Sequence, residues 1–155
     1  MTAPDPADIR AWQRLGADLT TSGKLDADDP ARLAAMDVRH VINLALDDHP
    51  EALADESTLL AASGIAYTHI PVPFAAPAEE HFAAFCAALG AVEGAVHVHC
   101  IMNWRVSAFF YRHHLANGMA EADARALMEQ QWSPEKSNNS AAAVWTKFIK
   151  LRLEN

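Results

Sequence analysis

A cysteine and an arginine stand close together in the sequence, Cys100 and Arg105, with four residues between them. The segment 95–100 before them is typical of a buried strand, and residues 104–115 after them have helical spacing. A thiol at such a junction faces the free N–H groups of a helix N-terminus, which favour the thiolate. A thiolate is a nucleophile, and a guanidinium can bind two phosphate oxygens in a fork. The sequence therefore predicts a nucleophile and an anion-binding site in one loop.

The elements that must position this loop alternate between strands and helices. Residues 38–44 and 65–72 predict two further strands, of which the second ends where Pro71 and Pro73 remove backbone donors. Helices are predicted just after Asp28 and over residues 51–63, 78–92, 104–115, 121–131 and 140–153. This βαβαβ pattern predicts an α/β three-layer sandwich with a mostly parallel sheet of about four strands. Ligands bind beyond the carboxyl ends of such strands, which is where Cys100 stands.

Length and composition limit the possible functions. A chain of 155 residues with 51% hydrophobic residues predicts a single domain over residues 1–155. The net charge of −8 gives no basic surface for nucleic acid or an anionic membrane, so we expect neither as a partner. The longest apolar window, 82–92, is too short to span a bilayer. The acidic, proline-containing start differs from a secretory leader, so we expect a cytoplasmic protein.

The cysteines and histidines do not form a metal-binding pattern. Cys86 and Cys100 are far apart, and neither belongs to a Cys-x-x-Cys pair. Cys86 lies on an apolar helix face, where a cysteine is an inert small hydrophobe. His97 and His99 share a strand face, yet no His-x3-His pair or carboxylate completes a ligand set. We expect no metal at the site.

The segment around Cys100 resembles the His-Cys-x5-Arg-Ser/Thr signature of protein tyrosine and dual-specificity phosphatases. Further blocks resemble a small bacterial branch of that superfamily, and they occur in the right order at 21–25, 41–44, 67–72 and 98–100. The resemblance spans about residues 21–115. It implies the phosphotyrosine-phosphatase-like fold, a phosphorylated protein or small phosphomonoester as substrate, and no cofactor.

The resemblance also implies roles for the loop residues. Cys100 attacks phosphorus to form a cysteinyl-phosphate that water hydrolyses, while Arg105 and the loop amides bind the phosphate oxygens. His99 orients the loop through a backbone hydrogen bond, and Ser107 donates a hydrogen bond to the sulfur as it leaves. The phosphate-binding loop itself comprises Ile101, Met102, Asn103 and Trp104.

Two departures from the family pattern stand out. Only four residues separate Cys100 from Arg105, and the usual loop glycine is absent, with Met102 and Asn103 near its place. The loop after the second predicted strand, 73–77, holds no aspartate to serve as the general acid that the superfamily places there. The nearby carboxylates that remain as candidates are Asp47, Asp48, Glu79 and Glu80.

Three functions remain open. The leading one is a cysteine-dependent phosphatase that acts on phosphotyrosine or another phosphomonoester. The six-residue Cys-to-Arg loop also resembles that of rhodanese-type sulfurtransferases, in which the cysteine carries a persulfide. Because of the short loop and the missing acid, a phosphate-binding module without turnover is the third. Oligomeric state is not predicted.

Overall fold

The protein is built on one five-stranded sheet. A computed structural model describes residues 3–151. The strands are β1 (Gln13–Gly16), β2 (Leu19–Ser22), β3 (Val38–Asn43), β4 (Ala66–His69) and β5 (Ala95–His99). They lie in the order β1-β2-β5-β3-β4. All neighbours are parallel except β1, which pairs antiparallel with β2. The mostly parallel α/β sheet is confirmed, with five strands rather than about four.

Helices cover both faces of this sheet. They are α1 (Asp29–Ala35), α2 (Glu56–Ala62), α3 (Glu79–Ala91), α4 (Trp104–Ala116), α5 (Glu121–Glu129) and α6 (Ala142–Ile149), with a 3-10 turn at Pro134–Lys136. One buried cluster joins α1 and α2 to the sheet through Leu33, Leu60 and Val41. A larger cluster joins α3–α6 to the other face, with Val98 and Phe109 among its fully buried members. These two cores make the predicted three-layer sandwich.

One hairpin and two helix boundaries differ from the prediction. The hairpin of β1 and β2 was not predicted, because both strands are four residues long and neither alternates apolar and polar residues. The helix predicted over 51–63 begins at Glu56, since Asp55 before it has a left-handed backbone with φ 58° that a helix cannot contain. The last helix ends at Ile149, and residues 152–153 of the predicted 140–153 lie outside the described residues.

Strand β5 determines where the chemistry lies. It runs between β2 and β3, with the buried valines Val96 and Val98 packed against the α3–α6 core. Its end is fixed on both sides, because Cys100 N–H donates to Ser22 O at 3.4 Å and Leu44 N–H donates to His99 O at 2.9 Å. The loop to α4 therefore begins in the middle of the sheet edge. Within residues 3–151, no helix is long and apolar enough to cross a membrane.

Candidate active site

Cys100 lies at the floor of a cavity of about 420 Å³ at the carboxyl edge of the sheet. The cavity is also lined by Arg105 from the first turn of α4, by Phe74 and Trp104, and by Asp48 and His49 from the loop after β3. Cys100 itself is fully buried, so a ligand must enter the cavity to reach the thiol. The sequence-predicted pair of Cys100 and Arg105 is thus brought together in one concave site.

The backbone of the loop leaves a set of amides free. Within the described part of the chain, the five N–H groups from Ile101 to Arg105 have no hydrogen-bond acceptor. The Ile101 carbonyl oxygen accepts from Lys24 N–H at 2.9 Å and from Arg10 Nη1 at 3.4 Å. Consecutive unpaired amides at a helix N-terminus attract an anion through their hydrogens and through the helix dipole. The loop therefore offers a group of donors that an anion can accept from.

Asn103 supplies the turn that a glycine supplies in the family signature. Its backbone is left-handed, with φ 68° and ψ 11°, and asparagine tolerates that region better than most residues. Its side-chain Nδ2 donates to Ala11 O at 2.9 Å and to Thr21 Oγ1 at 3.0 Å. Fully buried and held on two sides, Asn103 fixes the loop in this conformation.

A close backbone approach supports the same loop from outside. Gly23, which follows β2, lies so near the loop that a Cβ there would be 2.5 Å from Ile101 O. A side chain at position 23 would therefore displace the loop. Met102, the most exposed residue of the loop at 42%, places its sulfur 3.5 Å from Arg10 Nη1. Arg10 also pairs with Glu51 at 2.8 Å, so its charge is already balanced.

Arg105 is a buried cation without a carboxylate. Its side chain is 7% exposed, its Nη1 donates to Val72 O at 2.9 Å, and no acidic group of residues 3–151 pairs with it. The guanidinium lies 5.8 Å from the centre of the Phe74 ring. Buried arginines are normally paired, because an unpaired charge is costly to remove from water. The unpaired guanidinium beside the free amides completes a site for an anion.

His99 is held by a partner that the sequence did not reveal. Its Nδ1 lies 3.2 Å from Cys100 O, which is the backbone contact expected from the resemblance. Its Nε2 lies 2.6 Å from Oε2 of Glu56, the first residue of α2, and both side chains are buried. The sequence predicts Glu56 only as one more residue of a helix over 51–63. A glutamate predicted in a helix whose neighbours are mostly exposed gives no signal that it faces a histidine 43 positions away.

Ser107 is placed differently from what the resemblance implies. Its hydroxyl donates to Trp104 O at 3.1 Å, one turn back along α4, rather than to the sulfur of Cys100. A serine hydroxyl within a helix commonly donates to a backbone carbonyl of the preceding turn. The single hydroxyl proton is therefore committed to the helix in this structure.

The structure places the four candidate acids in different environments, and only Asp48 lines the cavity that contains Cys100. Asp48 lines the cavity, whereas Asp47 lies at a different cavity beside Tyr67 and His69. Glu79 forms an ion pair with Arg112, which lowers the pKa of that carboxyl and leaves it no proton to donate. Glu80 is exposed in the first turn of α3, away from the cavity.

Aromatic rings form one wall of the cavity. Trp104 stacks on Trp132 with ring centres 4.8 Å apart and 9° between their planes, so it both packs against the helical layer and faces the cavity. Phe74 contacts Trp104 at 6.0 Å and is fixed by Trp145, whose Nε1 donates to Phe74 O at 2.7 Å. The loop after β4, which lacks an aspartate, thus contributes an aromatic wall and the Val72 carbonyl that holds Arg105.

The other titratable groups do not form a metal centre. No group of three or more histidine, cysteine or acidic side chains within residues 3–151 could hold a metal ion. His97 is fully buried, and its ring nitrogens contact Thr20 Oγ1 and Ser22 Oγ at 2.8 Å each. Cys86 is half-buried, and burial raises the pKa of its thiol.

Comparisons with known proteins point in the same direction. A model of the family described as the phosphatase-like domain of the beta-lactamase hydrolase-like protein matches residues 9–116. The chain is similar to the DUF442 protein of Shewanella putrefaciens CN-32, a candidate phosphatase, with 30% identity, a TM-score of 0.77 and 92% of each chain covered. It has the fold of TpbA of P. aeruginosa, solved in complex with pTyr, with 18% identity, a TM-score of 0.72, and 97% and 88% of the two chains covered. No curated protein matches the chain.

Proposed function

Because the chain belongs to the family of the phosphatase-like domain of the beta-lactamase hydrolase-like protein, a phosphatase family of the cysteine-dependent superfamily, we propose that it hydrolyses phosphomonoesters through a covalent intermediate on Cys100. The observation that carries the proposal is the group of unpaired donors around the thiol. The five backbone amides from Ile101 to Arg105 have no acceptor, the Arg105 guanidinium lines the cavity together with Cys100, and no carboxylate of residues 3–151 forms an ion pair with that guanidinium. A tetrahedral phosphoryl group supplies the acceptors that they lack.

The proposed reaction has two displacement steps. Cys100 Sγ attacks phosphorus, the bond from phosphorus to the ester oxygen breaks, and the leaving group takes a proton. Water then attacks the cysteinyl-phosphate, the phosphorus–sulfur bond breaks, and inorganic phosphate and the thiolate are released. In both steps Arg105 and the loop amides bind the equatorial oxygens, where the negative charge of a loose transition state lies.

We infer that Asp48 gives the leaving group its proton. Among the described carboxylates it is the one that lines the cavity with Cys100 and Arg105. His49 lines the same cavity, but its Nδ1 accepts from Glu51 N–H at 3.0 Å, so that nitrogen has no proton to donate. In this proposal the acid comes from the loop after β3, and the loop after β4 supplies Phe74 instead.

The cavity walls favour an aromatic ester that carries one phosphate. Trp104 and Phe74 both line the cavity, and aromatic rings stack well on one another. Arg105 is the one cation lining it among the described residues, whereas a polyphosphorylated substrate needs several. The fold relationship to TpbA, which was solved with pTyr, agrees with a phosphotyrosine-like substrate.

The deciding experiment is hydrolysis of para-nitrophenyl phosphate from acidic to neutral pH. The nitrophenolate leaves without protonation, so this substrate tests Cys100 and the loop independently of the acid. Wild type and the control Cys86→Ser should turn over, and Cys100→Ser should not, because a hydroxyl ionises far less than a thiol. Absence of turnover in wild type would refute the proposal.

Two further assays test the two alternative functions, the phosphate-binding module and the sulfurtransferase. Tungstate binding without hydrolysis would favour the phosphate-binding module. Formation of thiocyanate from thiosulfate and cyanide, dependent on Cys100, would favour the sulfurtransferase.

A further inference from the structure

We propose that Glu56 is a positioning residue of this site, which keeps both ring nitrogens of His99 in donating roles so that His99 fixes the first amide of the anion-binding loop. The consequence for turnover rests on the proposed function, whereas the consequence for anion binding does not. Glu56 touches neither Cys100 nor the cavity that contains it, and it acts through His99.

The geometry around His99 determines where its protons are. Nδ1 is 3.2 Å from Cys100 O, and a carbonyl oxygen can only accept a hydrogen bond. Nε2 is 2.6 Å from Glu56 Oε2, and an ionised carboxylate also only accepts. Both contacts therefore require a proton, so the pair holds one more proton than a neutral imidazole, and that proton lies between Nε2 and Oε2. Without the carboxylate, nothing at Nε2 would keep this proton.

The second oxygen of Glu56 is also oriented. Asn43 Nδ2 lies 3.5 Å from Oε1 and donates to Tyr67 Oη at 3.1 Å. Asn43 is fixed in turn, because its Oδ1 accepts from Ala45 N–H at 2.9 Å. The carboxylate of Glu56 is thus placed by α2 on one side and by the end of β3 on the other. Its direction toward His99 is determined by the fold.

The neighbouring histidine does not compete for the proton. His97 is stacked beside His99 with ring centres 6.3 Å apart. Burial and the charge of His99 lower the pKa of His97 well below its usual value. The hydroxyls of Thr20 and Ser22 can satisfy a neutral His97 ring, because each can donate or accept. Of the two stacked rings, His99 is the one with a carboxylate partner.

The contact with Cys100 O reaches the anion site through one peptide unit. The C=O of Cys100 and the N–H of Ile101 belong to the same planar trans peptide, and they point in opposite directions. His99 holds the carbonyl toward the interior, so the Ile101 N–H is directed away from it, and within residues 3–151 that N–H finds no acceptor. A charged donor on the carbonyl also polarises the peptide and strengthens its N–H as a donor. Glu56 therefore controls the direction and strength of the first loop amide.

A purely structural role explains the pair less well. Removing a carboxylate and an imidazolium from water is costly, and apolar residues of similar size often stabilise a fold as well or better. A role of the Glu56–His99 pair in anion binding accounts for its presence despite this desolvation cost. A structural role predicts that removing the charge lowers stability and leaves the anion affinity of the folded protein unchanged.

The test combines ring protonation with anion affinity. In ¹⁵N-histidine-labelled wild type without ligand, both nitrogens of His99 should show bonded protons, with the signal assigned by its loss in His99→Gln. Glu56→Gln keeps the shape and removes the charge, and it should remove the second proton. It should weaken tungstate binding about tenfold to a hundredfold, the effect of a misdirected hydrogen bond to a charged group. Glu80→Gln, an exposed glutamate outside the cavity, is the matched control.

The protonation of His99 and the tungstate affinity of Glu56→Gln each support or contradict the role of Glu56. A His99 ring with one proton in wild type would overturn it, even if Glu56→Gln failed to fold. Unchanged tungstate affinity in folded Glu56→Gln would do the same and would leave the phosphatase function standing. Conversely, a doubly protonated His99 and weaker tungstate binding in Glu56→Gln would support Glu56 even if wild type failed to hydrolyse para-nitrophenyl phosphate, and the function alone would then fail.

Discussion

Replacing Arg105 by lysine tests the anion site, because it keeps the charge and removes the fork. In the structure one arm of the guanidinium is held by Val72 O at 2.9 Å, and the remaining N–H groups are available to the cavity. An ammonium cannot hold that carbonyl and bind two phosphate oxygens together. The variant thus loses about two hydrogen bonds of the kind made by charged groups, each worth about 1.5 to 3 kcal/mol. We expect kcat/KM for para-nitrophenyl phosphate to fall by about two to four powers of ten.

The control separates this effect from a general loss of positive charge or of folding. Arg39→Lys changes an exposed arginine that pairs with Asp37, and its kcat/KM should equal that of wild type. Urea unfolding of Arg105→Lys should show a loss of about 1 to 3 kcal/mol, because Val72 O is left without its donor. A folded Arg105→Lys with kcat/KM within threefold of wild type would refute the assignment of Arg105 to the phosphate.

Three further predictions concern the turn, the acid and the buried histidine. Asn103→Gly should retain turnover, and Asn103→Ala should be about 1 to 2 kcal/mol less stable in urea than Asn103→Gly, because both lose the side-chain hydrogen bonds but only glycine tolerates the left-handed backbone; equal stabilities of the two variants would contradict this. Asp48→Asn should lower kcat/KM for phenyl phosphate about 10²- to 10⁴-fold more than for para-nitrophenyl phosphate, and equal losses would exclude Asp48 as the acid. The pKa of His97 is lowered in the folded protein, so below pH 6.5 the unfolded chain binds a proton that the folded one does not. The free energy of unfolding therefore decreases as the pH is lowered, by up to about 1.4 kcal/mol per pH unit. His97→Gln should flatten this part of the urea-derived stability profile, and an unchanged slope would contradict the sign.

The sequence predicted the fold class well because strong local patterns determine it. The structure places β3, β4 and β5 within the predicted segments, and β3 and β5 contain the buried β-branched residues that indicated strands. The family match over residues 9–116 confirms the resemblance to cysteine-dependent phosphatases. The hairpin of β1 and β2 was missed because both strands are short, and the place of β2 in the sheet depends on β5, a partner more than 70 residues away. A four-residue strand such as Leu19–Ser22 gives no periodic signal of its own.

The nucleophile and the cation were predictable because they are neighbours in sequence, whereas Asp48 was one of four candidate acids and Glu56 was not predicted. Cys100 and Arg105 share one loop, so their spacing revealed them. Glu56 and Asp48 come from other parts of the chain, and only the parallel arrangement of β3 and β5 brings them to the same edge. Periodicity and motif spacing hold no information on such contacts, because they depend on the sheet order.

The short loop follows from how α4 begins. The family signature places five residues between cysteine and arginine, and the shorter spacing here is one reason why a binding module without turnover stays an alternative. In the structure α4 starts at Trp104, so Arg105 already lies in the first helical turn, beside the unpaired amides and the positive end of the helix dipole. A loop with one residue fewer needs a sharp turn before the helix, and the left-handed Asn103 provides it with two side-chain hydrogen bonds. The competence of the loop as an anion site therefore depends on the conformation of one residue rather than on the number of residues between the nucleophile and the cation.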